Sequence, residues 1–599
     1  MGRPDYEMAM GFTGFLARWR WPLTGVAALV AAVLGATGLL LLFSESGQPT
    51  PLDVGYHTLQ LFFFKYGFRS IGPLPWQLEV ARFLAPATTA LATFGALTVL
   101  FRDQIQRIGL RFASGHVVIC GLGAKGLRLV RDFRANGDRV VVIEKDGSNG
   151  DIPECTRMGV PVLVGDARNL DLLHLAGIVR ASVLVSVCED DGVNVDVAVR
   201  AHQFIQQRPA RLREPLKCFL HIVDLGLCSL LKQHRLFGRE RDRLDVRVFN
   251  TYVNSARQLQ AEFSLERDLV RTDDPRTVQF VVVGLGRLGE SVALQAAKTS
   301  HFANARKLEL VLIDRYASDI LQRLEGRHPG LSNVCEVSTI DGDICDARVL
   351  ERIRALSARP DRVTSIAICI DQETQSLATS MNLLGWLRDQ PVPILVRMTR
   401  QHGLSSLLGA DATAFPGKER LHLFGILSRT CTRDLLLTEM LDRQARAVQK
   451  QYVESCIKRG LTADKKPAMR PWEDLDENFR DSCRQQADHL SVKLRAIGWE
   501  AVPMEQVPTE SIPPFPQSVA DIEKLARMEH NRWMSERLLA GWRLGQPATP
   551  EEGNQRKISP YLVPYDQLPP GIQNYDREAV GTLPILVELA GMRLQPRKA

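Results

Sequence analysis

The strongest constraint on this chain is a pattern it carries twice. The segment HVVICGLGAKGLRLVRDF reads as a buried strand, then Gly121, Gly123 and Gly126 in G-x-G-x-x-G order, then an amphipathic helix. DRVVVIEKD follows as a second strand that ends in Glu144. This is the logic of a dinucleotide-binding unit. The first two glycines permit a tight turn and let phosphate approach the helix N-terminus. The third lets helix and strand pack closely, and the acid can accept hydrogen bonds from ribose hydroxyls.

Further along, VQFVVVGLGRLGESVALQAA sets Gly284, Gly286 and Gly289 in the same order, and KLELVLIDRY supplies a strand ending in Asp314. The downstream pattern also recurs. PVLVGDARN answers to STIDGDICD, each a strand end followed by Gly-Asp (Gly165-Asp166 and Gly342-Asp343). Two tandem Rossmann-like α/β domains with parallel sheets are the economical reading, over residues 111–268 and 269–430.

The glycine triplets, the acid after the second strand, the Gly-Asp pairs and the acidic run Glu189 to Asp191 with Asn194 resemble the regulator-of-potassium-conductance (RCK) family, related to the TrkA-N domains of potassium-uptake regulators. The resemblance implies domains that form dimers or rings beneath a pore, bind nucleotides or ions, and rarely perform chemistry. It assigns Gly121, Gly123, Gly126, Glu144 and Asp166, with Gly284, Gly286, Gly289, Asp314 and Asp343, to nucleotide binding. The second copy departs from the pattern, because Gln372 to Thr374 replace the Asp-Asp-Gly of the first.

Ahead of these domains lie two uncharged apolar runs, Trp21 to Phe43 and Phe83 to Phe101. At the helical rise of ~1.5 Å per residue the first spans a bilayer core, and the second comes close to it. Residues 1–110 are therefore expected to form a two-helix transmembrane module. Arg3, Arg18 and Arg20 precede the first run, and Arg102, Arg107 and Arg111 follow the second. The positive-inside rule then places both termini and the bulk of the chain in the cytoplasm, at an inner (plasma) membrane. Between the runs, YHTLQLFFFKYGFRS reads as a re-entrant pore helix, with Thr58 and Gln60 facing inward, or as an interfacial segment anchored by its aromatics. It lacks a T-x-G-Y-G filter; only Tyr66-Gly67 echoes one, and Lys65 opposes a cation path.

Residues 431–599 change to a mainly helical character. Asn531-Arg532-Trp533, Gly541-Trp542 with Gly545, then Pro560, Leu562 to Tyr565, Leu568 and Asp576-Arg577 resemble the ryanodine-receptor (RyR) repeat domain, most densely over 521–590. The resemblance implies a ligand- or partner-binding role, since in bacterial proteins such domains accompany nucleotide-sensing and conflict-system modules. Arg532, Trp533, Trp542, Tyr561, Tyr565 and Arg577 could line a pocket that stacks a base and contacts a phosphate. They could equally form the small core of a helical domain.

Several function classes fall away. The net charge of +7 is small for 599 residues, and no basic block is interleaved with aromatics, so nucleic acid is not an expected partner. The eleven cysteines show no C-x-x-C pair, and neither H-E-x-x-H, G-x-S-x-G nor a phosphate loop is present. A nicotinamide-dependent oxidoreductase would need a substrate domain with a poised proton-transfer group, and each α/β unit runs directly into the next module. The sequence thus reads as a non-enzymatic, ligand-gated, channel-like sensor or effector, on the company of its domains a bacterial defence or stress effector. A nucleotide-regulated potassium channel or regulatory subunit is the alternative, and a membrane-tethered oxidoreductase the third. The ligand would be NAD(H), ATP/ADP or a nucleotide second messenger. Because two spans cannot enclose an aqueous path, a homo-oligomer, a tetramer or a dimer of dimers, is required.

Overall fold

In a computed structural model, residues 5–44, 50–63, 74–100, 114–207, 215–224, 227, 243–267, 270–399, 418–462, 466–504, 515 and 518–597 are described. The chain divides into two compact units, Met1–Phe112 and Ala113–Ala599.

The first unit holds helices α1 (Asp5–Phe43), α2 (Pro51–Phe62) and α3 (Trp76–Leu100). Pro22–Phe43 and Trp76–Leu97 are long and apolar enough to cross a membrane. Their outward faces carry Leu23, Val26, Leu29, Phe83, Leu91 and Phe94, all exposed, as a lipid-facing surface would require. Small residues let the helices meet closely. A Cβ on Gly38 would sit 2.7 Å from the Leu78 amide, and one on Gly35 2.9 Å from Leu61. The helix α3 begins at Trp76, ahead of the apolar run at 83: the Leu78 and Glu79 amides bond the Pro75 carbonyl, and Glu79 and Arg82 pair across one turn at 2.6 Å.

The short helix α2 starts at Pro51, capped by Thr50, which accepts from the Asp53 amide. It packs on both long helices through Val54, Thr58 and Leu61. Thr58 is buried and donates to the Val54 carbonyl, whereas Gln60 is half-buried and pairs with His57. Residues 64–70, with Lys65, Tyr66 and Gly67, lie outside the described residues, as do Arg3, Arg102, Arg107 and Arg111.

The second unit contains two six-stranded parallel sheets. The first comprises β1 (Val117–Cys120), β2 (Val140–Glu144), β3 (Val162–Val164), β4 (Val183–Ser186), β5 (Leu216–His221) and β6 (Leu244–Phe249), ordered β3-β2-β1-β4-β5-β6. The second comprises β7 (Thr277–Val283), β8 (Glu309–Asp314), β9 (Glu336–Asp341), β10 (Arg362–Ile368), β11 (Ile394–Arg397) and β12 (Leu421–Phe424), ordered β12-β11-β10-β7-β8-β9. These orders are doubly wound, and the central strands β1 and β7 are buried along their whole length because helices cover both faces. The fold class read from the sequence is the one observed.

What joins the two domains is an exchange of helices. After β6, helix α6 (Thr251–Glu262) leaves its own sheet and packs against α7 (Arg287–Thr299), so that Ala256 and Leu259 belong to the second domain's core. After β12, the segments α9 (Leu427–Thr430) and α10 (Arg433–Leu437) return to the first domain, where Cys431 and Leu436 complete its core. Each domain thus buries an apolar face contributed by its twin, and the strand ends of the two copies are held facing one cleft.

The remaining residues form a mainly helical module with its own core, including Trp472, Trp499, Leu525, Met528 and Tyr565. Its long helix Val519–Leu539 lies on the second α/β domain. There Gly330 is required, since a Cβ would stand 2.3 Å from the Leu538 carbonyl oxygen.

Candidate functional site

The loop after β1 is built for close approach. Gly121 has φ +95°, and Gly126 packs so tightly that a Cβ would lie 2.0 Å from the Gly121 carbonyl oxygen. Gly123 differs. It is exposed at the N-cap of helix α4 (Ala124–Ala135) in extended backbone, and among the described residues a Cβ added there would meet nothing within 4 Å. None of the described residues demands glycine there, so the open space above it suits a ligand whose phosphate meets the helix N-terminus.

That space belongs to a cavity of about 900 Å³. It lies at the carboxyl ends of β1, β2 and β4, where the strand order reverses, the usual ligand position in such sheets. Gly121, Gly123, Glu144 and Asp166 all line it. Gly126 is not among the lining residues and acts through packing. The Glu144 carboxylate accepts from the Leu122 amide at 2.5 Å and the Asp146 amide at 2.9 Å, which fixes its direction and leaves lone pairs for hydroxyls. Arg168 forms a fork on Asp166 and holds that carboxyl down at about 2.

The second copy repeats the geometry on a smaller scale. Gly284 has φ +85°, and a Cβ on Gly289 would be 2.0 Å from the Gly284 carbonyl oxygen. Asp314 accepts from the Leu285 amide at 2.8 Å, as Glu144 does from Leu122. Here Gly284, Gly286, Asp314 and Asp343 line a cavity of only about 370 Å³. Arg315, which pairs with Asp343 at 2.5 Å, is part of its wall.

The larger cavity has a roof that no motif announces. Leu288, Arg397, Thr399, Gly425 and Leu427 come from the second copy, and Thr251, Tyr252 and Ser255 from the exchanged helix α6. Lys125, the second variable residue between Gly123 and Gly126, faces the cavity with its ammonium 5.6 Å from the Tyr252 ring. Burial, with Arg287 and Arg397 nearby, lowers that ammonium below its ordinary value despite Cys431 and Asp191. The cavity therefore has a cationic end at the glycine loop (Lys125 and Arg397) and a rim of Glu144, Asp146, Asp166, Glu189 and Asp190, in which Lys145 and Arg168 also stand. Asn194 does not line it. Buried behind, its amide bonds Ser186, Cys188 and the His221 carbonyl, which pins β4 to β5. Among the described residues, no group of three or more His, Cys, Asp or Glu side chains is placed to hold a metal ion.

In the carboxy-terminal module the six residues read as a pocket are only partly together. Arg577 pairs with Glu523, which also accepts from the Tyr565 hydroxyl at 3.1 Å. Trp533 stacks on His530, and Arg537, which the sequence did not single out, lies over both Trp533 and Trp542 at 5.7 and 4.5 Å. Tyr561 is 37% exposed. Arg532 is turned elsewhere: it is 3% exposed, with its guanidinium on Glu529 and Glu536, and Glu529 also receives Lys493 at 2.5 Å. The placement corrects the expectation that Arg532 faces a ligand, because two carboxylates on its own helix already satisfy it.

Beside that network, His489 bonds the His301 carbonyl at 2.9 Å, where the module meets the second α/β domain. Burial, reinforced by Arg532, pushes His301 down to about 4; burial, reinforced by Lys493, puts His489 well below its ordinary value. Both rings are neutral when folded and take up a proton more readily when released. The docking is therefore fully stable above about pH 6.5 and weakens as pH falls from there toward 4. Hydrogen-exchange protection factors across Leu331–Val334 and Val519–Leu539, which correct for the intrinsic rate at each pH, should fall between pH 7 and pH 4.5.

Comparison with known proteins matches residues 117–215 to the TrkA-N domain and 511–595 to the RyR domain. The chain thus carries both domains that its motifs resemble. Among curated proteins it is similar to the glutathione-regulated potassium-efflux system protein KefC of Salmonella newport (strain SL254), 27% identical over 229 residues, covering 36% of this chain and 33% of KefC. The KefC of Salmonella enteritidis PT4 (strain P125109) matches equally. The chain thus spans a third of the length of the curated relatives it matches. Among solved structures, GsuK bound to ADP aligns with TM-score 0.37 and 15% identity, over 71% of this chain and 99% of GsuK. The GsuK channel bound to NAD aligns with TM-score 0.37 and 14% identity, over 72% and 84%.

Proposed function

We propose that this chain, with two apolar helices, a TrkA-N domain, a second α/β domain and an RyR domain, is a membrane-anchored regulator of ion passage that responds to a nucleotide. The single observation that carries the reading is the larger cavity. Its floor is the first glycine loop and its roof is the second copy, so a ligand there touches both domains and binds one arrangement of them more tightly than another. That difference in affinity is what a ligand needs to shift a conformational equilibrium. The acidic rim and cationic end favour a nucleotide or dinucleotide, with both phosphate and hydroxyl groups, over a simple anion. The role proposed for the site is sensing, without bond-making chemistry.

Potassium is the ion we favour, because the curated relatives that part of the chain matches are named for potassium efflux. Two spans per chain make a homo-oligomer part of the proposal, with the α/β and RyR domains on the cytoplasmic side. The test is flux from potassium-loaded liposomes carrying the purified chain, with and without ADP or NAD. Flux that changes with either nucleotide supports the reading; nucleotide binding without any flux would remove the channel and leave a regulatory subunit. Turnover of NADH by the purified protein would favour an oxidoreductase instead.

A further inference from the structure

The two α/β copies correspond in detail at one place where their chemistry differs. At the start of helix α5 (Asp191–Gln206), Asp191 accepts from the Val223 amide at 2.8 Å; at the start of helix α8 (Glu373–Trp386), Glu373 accepts from the Thr399 amide at 2.8 Å. This equivalence matches His221, at the end of β5, with Arg397, at the end of β11. His221 is 2% exposed, bonded to Thr251, and held neutral down to about 3 by burial and by Lys125. Arg397 is 8% exposed and permanently charged, and it lines the larger cavity.

Arg397 also has a partner outside that cavity. Its guanidinium bonds Asp371, whose side chain is 77% exposed and which forms part of the wall of the smaller cavity. There the Asp371 carboxylate stands 3.6 Å from where a Cβ on Gly286 would be, beside the second glycine loop. One ion pair therefore has its cation in the first site and its anion in the second.

Resting on the nucleotide reading above, we infer that the Arg397–Asp371 pair couples the two sites with negative sign. A phosphate entering the larger cavity competes with Asp371 for the Arg397 guanidinium. Once released, the Asp371 carboxylate stands unneutralised at the mouth of the second glycine loop and repels any anion there. An anion in the smaller cavity in turn favours the state with Asp371 held on Arg397, which keeps that guanidinium from a phosphate in the larger cavity, since coupling between two binding sites is reciprocal. The second copy is then less a spare nucleotide site than a reporter of the first.

The coupling makes an unusual demand: removing a negative charge from the second cavity should strengthen binding in the first. ADP binding is measured by calorimetry on the full chain in detergent, in a Gly286→Val background that closes the second loop. Among the described residues only Asp371 lies within 4 Å of a Cβ on Gly286, so the background change is sterically mild. Asp371→Asn should tighten ADP at the first site about three- to tenfold by freeing Arg397, and Arg397→Gln should weaken it about tenfold or more. Arg397→Lys, which keeps the charge and loses the fork, should fall between wild type and Arg397→Gln. Unchanged or weaker ADP binding by Asp371→Asn, in a chain that otherwise binds ADP, overturns the coupling and leaves the nucleotide reading intact. A wild-type chain that binds neither ADP nor NAD sinks both.

Discussion

Gly123→Asp is expected to reduce nucleotide binding at least about a hundredfold with no loss of thermal stability, whereas Gly126→Ala, three residues on, should destabilise the first α/β domain by about 3 kcal/mol or more. The contrast follows from what surrounds each residue. A Cβ at Gly126 meets the Gly121 carbonyl oxygen at 2.0 Å, a backbone atom that cannot move without breaking the turn. At Gly123 no described residue lies within 4 Å of the Cβ position and the backbone is extended, so aspartate fits; as an N-cap it can even accept from the first helical amides. It also places a carboxylate where the phosphate belongs. Calorimetric titration with ADP and NAD, beside thermal unfolding followed by circular dichroism, separates the two effects. Full binding by Gly123→Asp would move the nucleotide out of the larger cavity.

Lys493→Met is expected to cost roughly 3–5 kcal/mol of stability, the range for breaking a buried ion pair from one side. Lys493 is 0% exposed and its ammonium lies 2.5 Å from Glu529, which is 4% exposed and also bound by Arg532. Burial disfavours both charges, yet Arg532 and Lys493 outweigh it at Glu529 and pull that carboxyl down to about 2. Without Lys493 the Glu529 carboxylate keeps one partner and loses another in a site closed to water. The double change Lys493→Met with Glu529→Gln should recover part of the loss, because no uncompensated charge stays buried. Because the carboxyl end of helix Val519–Leu539 packs on the second α/β domain, proteolysis should release the carboxy-terminal module from the single variant first. Equal loss in the single and double variants would show that packing, not charge, holds this site.

Much of the protein was legible because its signals are local. A strand, a glycine turn, a helix and an acid are contiguous in sequence, so Gly121, Gly123 and Glu144 could be read directly, and the structure brings all three to one cavity wall. The apolar run after Trp21 was equally plain. The start of α3 was not, since Glu79 and Arg82 look like a break until the helix pairs them one turn apart.

Hydrophobic period and backbone sterics act over a few residues, and so the two doubly wound domains, the apolar helices and the turn residues of each glycine loop were already written in the chain. Which residues from one copy reach the other was not. Arg397 reaches the first cavity from the end of a second-copy strand, and Tyr252 roofs it from the exchanged helix; nothing near either residue in the chain records that arrangement. Nor could a pattern of aromatic and arginine positions tell Arg577, near the surface, from Arg532, sealed between two glutamates. A side chain's partner is set by which surfaces burial brings together across hundreds of residues, and that is settled only when the whole chain has folded.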